Sequence, residues 1–99
     1  MQLNDGGSAF SNIASATTTL VRTGAGVLER IVCNKAVLSG VITVYDGLSA
    51  SGTKIATITH PATLLQNQYV LPYGVRFATG LTIVTSAADV ITVVYTPTV

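Results

Sequence analysis

The sequence has few charged residues and few side chains of the kinds that carry chemistry. Only 9% of its 99 residues are charged, five basic and four acidic, whereas typical soluble domains have about 25%. It has one cysteine, one histidine and no tryptophan. A single cysteine excludes an intrachain disulfide. The cations are scattered and the formal net charge is +1, so the clustered basic patch that binds nucleic acid is missing. We therefore expect no nucleic-acid partner.

Long apolar segments are also missing. No run approaches the ~20 apolar residues that a membrane-spanning helix needs. Residues 1–8 are polar and Gly-rich, without the basic and then apolar segments of a signal peptide. We expect no membrane partner and synthesis in a cytoplasm. Fifteen threonines and seven serines supply much of the polar surface that charged residues supply in other proteins.

The titratable residues form no recognisable catalytic or metal-binding pattern. Cys33, His60 and an aspartate are the residue types of a nucleophilic triad, but no spacing brings them together. Asp46 and Asp89 fall at predicted strand–loop junctions, where aspartate commonly accepts hydrogen bonds from backbone amides. Cys33 lies in an apolar run and is expected to be a buried small side chain. The sequence predicts a protein that is not an enzyme and needs no cofactor or metal.

The chain does contain a series of short β-prone runs. Runs rich in Val, Ile, Thr and Tyr recur about every ten residues and are separated by turn residues. We predict strands at residues 17–23, 27–34, 41–46, 53–59, 68–71, 74–78, 81–85 and 90–96. This spacing predicts an all-β fold: a single antiparallel β-sandwich of about eight short strands, jelly-roll or Ig-like.

Residues 1–16 differ in composition from the rest of the chain. They are rich in Gly, Ser, Asn and Ala, and Phe10 and Ile13 stand out as isolated apolar residues. We interpret residues 1–16 as an extended N-terminal arm and residues 17–99 as the sandwich domain. Phe10 and Ile13 are then expected to bind a partner. On this interpretation, removing residues 1–13 leaves the sandwich folded and weakens attachment.

Alternation along the predicted strands places apolar residues on both faces. In the run at 41–46, Tyr45 shares one face with Val41, while Ile42 lies on the other. A lone sandwich needs only one apolar face per strand. The surplus predicts a homo-oligomer, with Tyr45 and Tyr95 as candidate partner-binding residues. Exposed aromatic residues can also stack on sugar rings, so a host-glycan-binding module remains an alternative.

Five segments follow a recurring pattern of strands and turns. They are residues 23–28 (TGAGVL), 43–47 (TVYDG), 49–56 (SASGTKIA), 79–85 (TGLTIVT) and 89–95 (DVITVVY). Together they resemble small phage-encoded virion proteins of the β-sandwich type, which include capsid decoration, or cement, proteins. The resemblance covers residues 17–96. It consists of hairpin features without an active-site motif, so it assigns no role to an individual residue.

The resemblance implies a bacteriophage virion structural protein, and in particular a decoration protein that binds the outside of the capsid and stabilises it. Its implied location is the virion. The implied partners are the major capsid protein or another virion protein, together with further copies of the chain. Decoration proteins of this type tend to form trimers, so a homotrimer is expected. A tail, neck or fibre adaptor is the alternative that the resemblance leaves open.

Overall fold

The computed structural model describes residues 8–63 and 68–98, and these form an all-β structure. Its strands are β1 (Ala9–Ile13), β2 (Thr18–Thr23), β3 (Gly26–Lys35), β4 (Val41–Asp46), β5 (Thr53–Thr59), β6 (Tyr69–Phe77), β7 (Gly80–Thr85) and β8 (Val90–Pro97). None of the described residues is helical. The β-branched residues that dominate these segments pack well on a pleated surface and lose side-chain freedom in a helix.

The strands form two antiparallel sheets of four strands, which pack against each other. Sheet A has the order β1-β8-β3-β6, and sheet B has the order β2-β7-β4-β5. β1 pairs with β8, β2 with β7, β3 with β6 and β4 with β5. These are the pairings of one long antiparallel hairpin whose four strand pairs are divided between the two sheets. The predicted antiparallel β-sandwich is confirmed.

The core lies between the two sheets. In β4, Ile42 and Val44 are fully buried, while Val41, Thr43 and Tyr45 are partly exposed, which is the period of two expected for a strand. The buried apolar side chains are Ile13, Leu28, Ile31, Cys33, Ala36, Ile42, Val44, Phe77, Leu81, Ile83, Ile91 and Val93. Burying one large aliphatic side chain contributes roughly 1.5–3 kcal/mol. These inward positions therefore supply much of the stability of the sandwich.

β6 joins two segments that the sequence predicts as separate strands, one on each side of Pro72. A proline within a strand removes a backbone hydrogen-bond donor. The proline is accommodated because β6 is an edge strand and its register with β3 shifts between Leu28 and Arg30, beside Pro72. Gly74, with φ of 69°, lies at the same irregularity. That backbone conformation favours glycine, so the chain continues as one strand across the irregularity.

The N-terminal segment differs from the expected arm. Residues 9–13 form β1, which pairs with β8 along its whole length. Ile13 is 4% exposed and belongs to the core, whereas Phe10 points outward and is 71% exposed. The sandwich therefore begins at β1 and not at Thr17, because alternate residues of this Ser- and Asn-containing segment still face inward. The first seven residues of the expected arm lie outside the described residues.

Candidate functional site

Four polar side chains form a buried chain at one end of the sandwich. His60 and Asp89 are 3% and 0% exposed, and His60 Nδ1 lies 3.1 Å from Asp89 Oδ1. His60 Nε2 contacts the Tyr69 hydroxyl, which also hydrogen-bonds with the Cys33 thiol. The four residues come from the loop after β5, the loop before β8, the start of β6 and β3. The fold thus brings together a cysteine, a histidine and an aspartate that no sequence spacing connects.

Burial determines where the protons lie in this chain. The Asp89 carboxylate faces Nδ1 of His60, and the Tyr69 hydroxyl contacts Nε2 on the other side of the ring. Burial, with a contribution from the neighbouring Cys33, raises the pKa of Tyr69, and its hydroxyl stays protonated. Burial also raises the pKa of the Cys33 thiol. The series of four buried side chains therefore ends at the protonated thiol of Cys33.

This geometry does not activate a nucleophile. A catalytic cysteine requires a thiolate, which forms when the pKa is lowered or when a base contacts the thiol. Here the Tyr69 hydroxyl occupies His60 Nε2, and the Cys33 side chain is 1% exposed. Cys33 and Tyr69 do line a depression of about 330 Å³, but burial keeps the thiol neutral. Within residues 8–63 and 68–98, no group of three or more His, Cys, Asp or Glu could hold a metal ion.

Asp89 joins the loops at this end of the molecule. Its Oδ1 atom accepts a hydrogen bond of 2.6 Å from the backbone N–H of Val37 and also faces His60. A Cβ atom at Gly40 would lie 2.8 Å from Asp89 Oδ2, so this close approach requires glycine. The expected backbone hydrogen bond to Asp89 is present. The contact with His60 was not predicted, because the two residues are distant in sequence and meet only through the fold.

Asp46 anchors the turn between β6 and β7. Its carboxylate oxygens accept hydrogen bonds from the backbone N–H groups of Ala78 and Thr79, each at 3.0 Å. These bonds stabilise the charged form and lower the pKa of Asp46. Asp46 accepts hydrogen bonds from turn amides as predicted, but the expected partners were amides nearby in sequence. The amides belong to a turn far along the chain, so this carboxylate joins two connections.

Replacing Asp46 with asparagine is expected to reduce the loss of stability at low pH. The folded-state pKa is below the ordinary value of 3.8, so the charged carboxylate stabilises the fold above about pH 4. This contribution is lost as the pH falls through the folded-state pKa. Urea unfolding between about pH 6 and about pH 2 should show wild type and Asp46→Asn converging in acid. A constant difference at every pH would contradict this assignment.

The outward side of sheet A combines apolar and cationic residues. Exposure alternates along β6, which places Val70, Pro72 and Arg76 outward. In the register of the sheet, Val70 lies beside Val32 of β3 and Pro72 lies beside Arg30. We call this surface the outer A face; its members are Phe10, Asn12, Arg30, Val32, Val70, Pro72, Arg76, Thr92 and Val94.

The outer A face carries the two most exposed large apolar side chains of the described residues. Phe10 on β1 is 71% exposed and Val70 on β6 is 54% exposed. They lie at opposite edges of the same sheet. Phe10 pairs with Val94 of β8, so apolar surface extends from the β1 edge toward the centre. Register pairing groups Phe10 with Val94 and Val32 with Val70, so this face has two apolar patches and is the candidate interaction surface.

Cations surround this apolar surface. Arg30 and Arg76 point outward on β3 and β6, and Lys35 is exposed at the end of β3. These are three of the five cationic residues of the chain. Among the described residues, the acidic residue on this face is Glu29, whose Oε1 atom lies 3.6 Å from Arg30 Nη1. Arg30 and Arg76 on the outer A face, with Lys35 and Glu29 at its margin, give a net charge of +2.

The four predicted partner-binding residues have different surroundings. Phe10 lies on the outer A face, as its expected role requires. Ile13 is buried in the core and Tyr95 packs against it, so both contribute to packing within this subunit. Tyr45 lies beside Lys54 on the outward side of sheet B and is partly exposed. The sequence analysis did not single out Val70, although the alternation from 69 to 77 would have marked it as outward.

The aromatic residues do not form an outward pair on either sheet. All six lie within the described residues. Phe77 is fully buried, and Tyr69, Tyr73 and Tyr95 pack against the core. The two outward aromatic residues lie on different sheets, Phe10 on sheet A and Tyr45 on sheet B. A stacking platform for sugar rings usually presents neighbouring aromatic faces, so this arrangement disfavours the glycan-binding alternative.

Neither the comparisons with known proteins nor the helix content assigns a family or a function to this chain. No helix among residues 8–63 and 68–98 is long and apolar enough to cross a bilayer. Searches against protein-family models, curated proteins and solved structures found no match to this chain.

Proposed function

We propose that this protein is a structural protein of a bacteriophage virion, namely a capsid decoration protein that binds the outside of the shell and stabilises it. The observation that carries the proposal is the outer A face, an exposed apolar and cationic surface on a rigid sandwich. Such a surface suits a protein that acts by binding other proteins. The resemblance of the hairpin segments to small virion proteins directs the proposal to a phage particle.

We infer that the sandwich is a jelly roll. The first strand pairs with the last, the second with the seventh, the third with the sixth and the fourth with the fifth. Eight strands in two sheets are typical of jelly rolls, which include viral capsid domains. An Ig-like sandwich keeps its first two strands in one sheet, whereas β1 and β2 lie in different sheets here. The fold supports a virion role but is also compatible with other functions.

The buried Asp89–His60–Tyr69–Cys33 chain is assigned a structural role. Its hydrogen bonds and the contact between His60 and Asp89 connect the loops at one end of the sandwich. The buried, protonated thiol and the occupied imidazole favour this role over catalysis. We therefore propose that the protein is not an enzyme and uses no cofactor.

Quantifying the protein in purified particles tests this function. The particles are those of the phage whose genome encodes the chain, purified by density gradient and analysed by quantitative mass spectrometry. A decoration protein is expected in a copy number comparable to that of the major capsid protein. A few copies, in multiples of three, would instead support a tail, neck or fibre adaptor. Absence from the particle would contradict a virion role.

We also propose that the protein forms a homotrimer. The outward side of sheet B has apolar residues available for self-association, including Leu20, which is 47% exposed, and Tyr45. The small number of charges offers little repulsion between copies. Sedimentation velocity at micromolar concentration should show a species of three times the chain mass of 10.2 kDa. A species of 10.2 kDa alone would contradict the trimer.

A further inference from the structure

We propose that the outer A face is the surface by which this protein attaches to the particle, and that it binds an acidic surface of another virion protein. The inference rests on the proposed virion function. It adds which of the two sheets is bound and what charge the partner carries. Its basis is the combination of apolar exposure, an excess of cations over anions and a shortage of acidic residues on the chain itself.

The strand registers place apolar side chains in rows across the outer A face. One row runs from Phe10 through Val94 to Arg30 and Pro72. The next row contains Asn12, Thr92, Val32 and Val70. A partner that covers both rows would remove from water the two most exposed large apolar side chains of the described structure.

Few acidic side chains lie close enough to the cations of this face to neutralise them. Arg30 has a side chain that is 48% exposed, and its carboxylate neighbour, Glu29, is 3.6 Å away. Glu29 also accepts hydrogen bonds from the hydroxyls of Ser8 and Thr96, which lower its pKa and share its charge. Among the described residues, no ion pair is formed by Arg76. Exposed arginines beside apolar rows are complementary to an acidic protein surface.

A second copy of the chain does not supply that acidic surface. The chain has four acidic residues. Asp89 is fully buried against His60, and Asp46 accepts two backbone hydrogen bonds. Glu29 lies on the cationic face itself, and Asp5 lies outside the described residues. Charge complementarity therefore selects a different protein as the partner, and the trimer contact is assigned elsewhere on the molecule.

Duplex nucleic acid fits this face less well. Binding to the phosphate backbone depends on several closely spaced cations. The outer A face offers few cations, and exposed valine, proline and phenylalanine side chains lie between them. These apolar residues gain nothing from contact with phosphate, whereas they gain burial against a protein.

The attachment assay uses particles purified from phage that lack the gene for this chain. Purified wild type and variants are added, and bound protein is measured after sedimentation of the particles. The double variant Arg30→Glu, Arg76→Glu reverses two charges of the outer A face, and Val70→Asp interrupts its apolar row. Lys54→Glu and Thr57→Asp make matched charge changes on the outward side of sheet B, where the trimer contact is proposed. Ala50→Glu, in the exposed loop after β4, is the control outside both faces. Thermal unfolding of each variant establishes that it is folded.

Wild-type attachment should weaken as the salt concentration rises, because exposed charge pairs are screened. The double charge reversal should weaken it by about tenfold or more, and Val70→Asp should also reduce it, while Ala50→Glu binds normally. If wild type binds and the outer A variants bind equally well, this inference is wrong and the virion function stands. If wild type does not attach and is absent from particles, both are wrong.

Three further results would overturn the assignment of the partner. Loss of attachment in Lys54→Glu but not in the outer A variants would move the docking surface to sheet B. Loss of the trimer in the double variant, seen by sedimentation, would make the outer A face a contact between copies of this chain. Salt-dependent binding of wild type to a short DNA duplex, lost in the double variant, would identify nucleic acid as the ligand.

Discussion

Removing residues 1–13 is expected to unfold the protein or to lower its free energy of unfolding by about 3 kcal/mol or more. The deletion removes β1, which pairs with β8 over five residues, and with it the buried Ile13 side chain. It also leaves the side of β8 that pairs with β1 without a partner, so that β8 becomes an edge strand. Urea unfolding followed by far-UV circular dichroism measures the change. The sequence analysis expects a folded product, so this experiment separates an arm from a strand.

A pair of point variants makes the same test without shortening the chain. Ile13→Ala should cost about 2–5 kcal/mol, because it leaves a cavity in the core. Phe10→Ala is the matched control on the same strand, and its side chain is 71% exposed. It should change the free energy of unfolding by no more than about 0.5 kcal/mol. If both variants, and the deletion, unfold at the urea concentration of the wild type, β1 is not part of the cooperative fold.

Phe10→Ala has a second use, because it separates folding from attachment. Phe10 lies on the outer A face and its side chain is mostly exposed. The proposed docking surface therefore predicts weaker binding of Phe10→Ala to particles without a loss of stability. Deletion of residues 1–7 alone is a useful companion, since it retains every strand of the described structure.

Asp89→Ala is expected to lower the free energy of unfolding by about 3 kcal/mol, because it leaves two buried polar groups without their partner at a cost of roughly 1–3 kcal/mol each. The substitution leaves His60 buried without its carboxylate neighbour and leaves the backbone N–H of Val37 without its acceptor. Since the protein has no tryptophan and four tyrosines, tyrosine fluorescence and circular dichroism are suitable probes of urea unfolding. A change below about 0.5 kcal/mol would show that this buried pair does not stabilise the fold.

Two additional variants separate the contribution of the Asp89 charge from that of its contact with His60. Asp89→Asn keeps the size of the side chain and an acceptor for Val37 but removes the charge, so it should be less damaging than Asp89→Ala. Combining Asp89→Ala with His60→Ala gives a double-mutant cycle, in which direct contact predicts a coupling of about 0.5–3 kcal/mol. Additive effects would mean that the two side chains stabilise the protein independently.

The strands with clear local signals could be predicted from the sequence. The predicted bounds of β4 and β5 agree with the structure, because each run alternates and is ended by turn residues. Alternation also identified Ile42 and Val44 as sharing one face, and both are buried. In these cases neighbouring residues along the chain contain the information.

Two elements depended on their neighbours in the sheet. The segment around Pro72 is one strand because it lies at an edge, beside a register shift in β3, where a missing N–H is tolerated. β1 is short and contains Ser and Asn, and its β structure is stabilised by pairing with β8, far along the chain. Local composition does not show which distant strand a segment will pair with. It indicated an arm where the tertiary structure has a strand.

The sequence by itself determined that this chain is an all-β sandwich with little charge, because composition and period-two alternation are local properties. Only the tertiary structure decided which strands are neighbours. That choice brings His60 to Asp89 and places Arg30 beside Pro72 and Val94. Alternation states that a residue points to one side of its own strand, but the composition of a surface depends on several strands. The buried polar chain and the outer A face are therefore products of strand order and register.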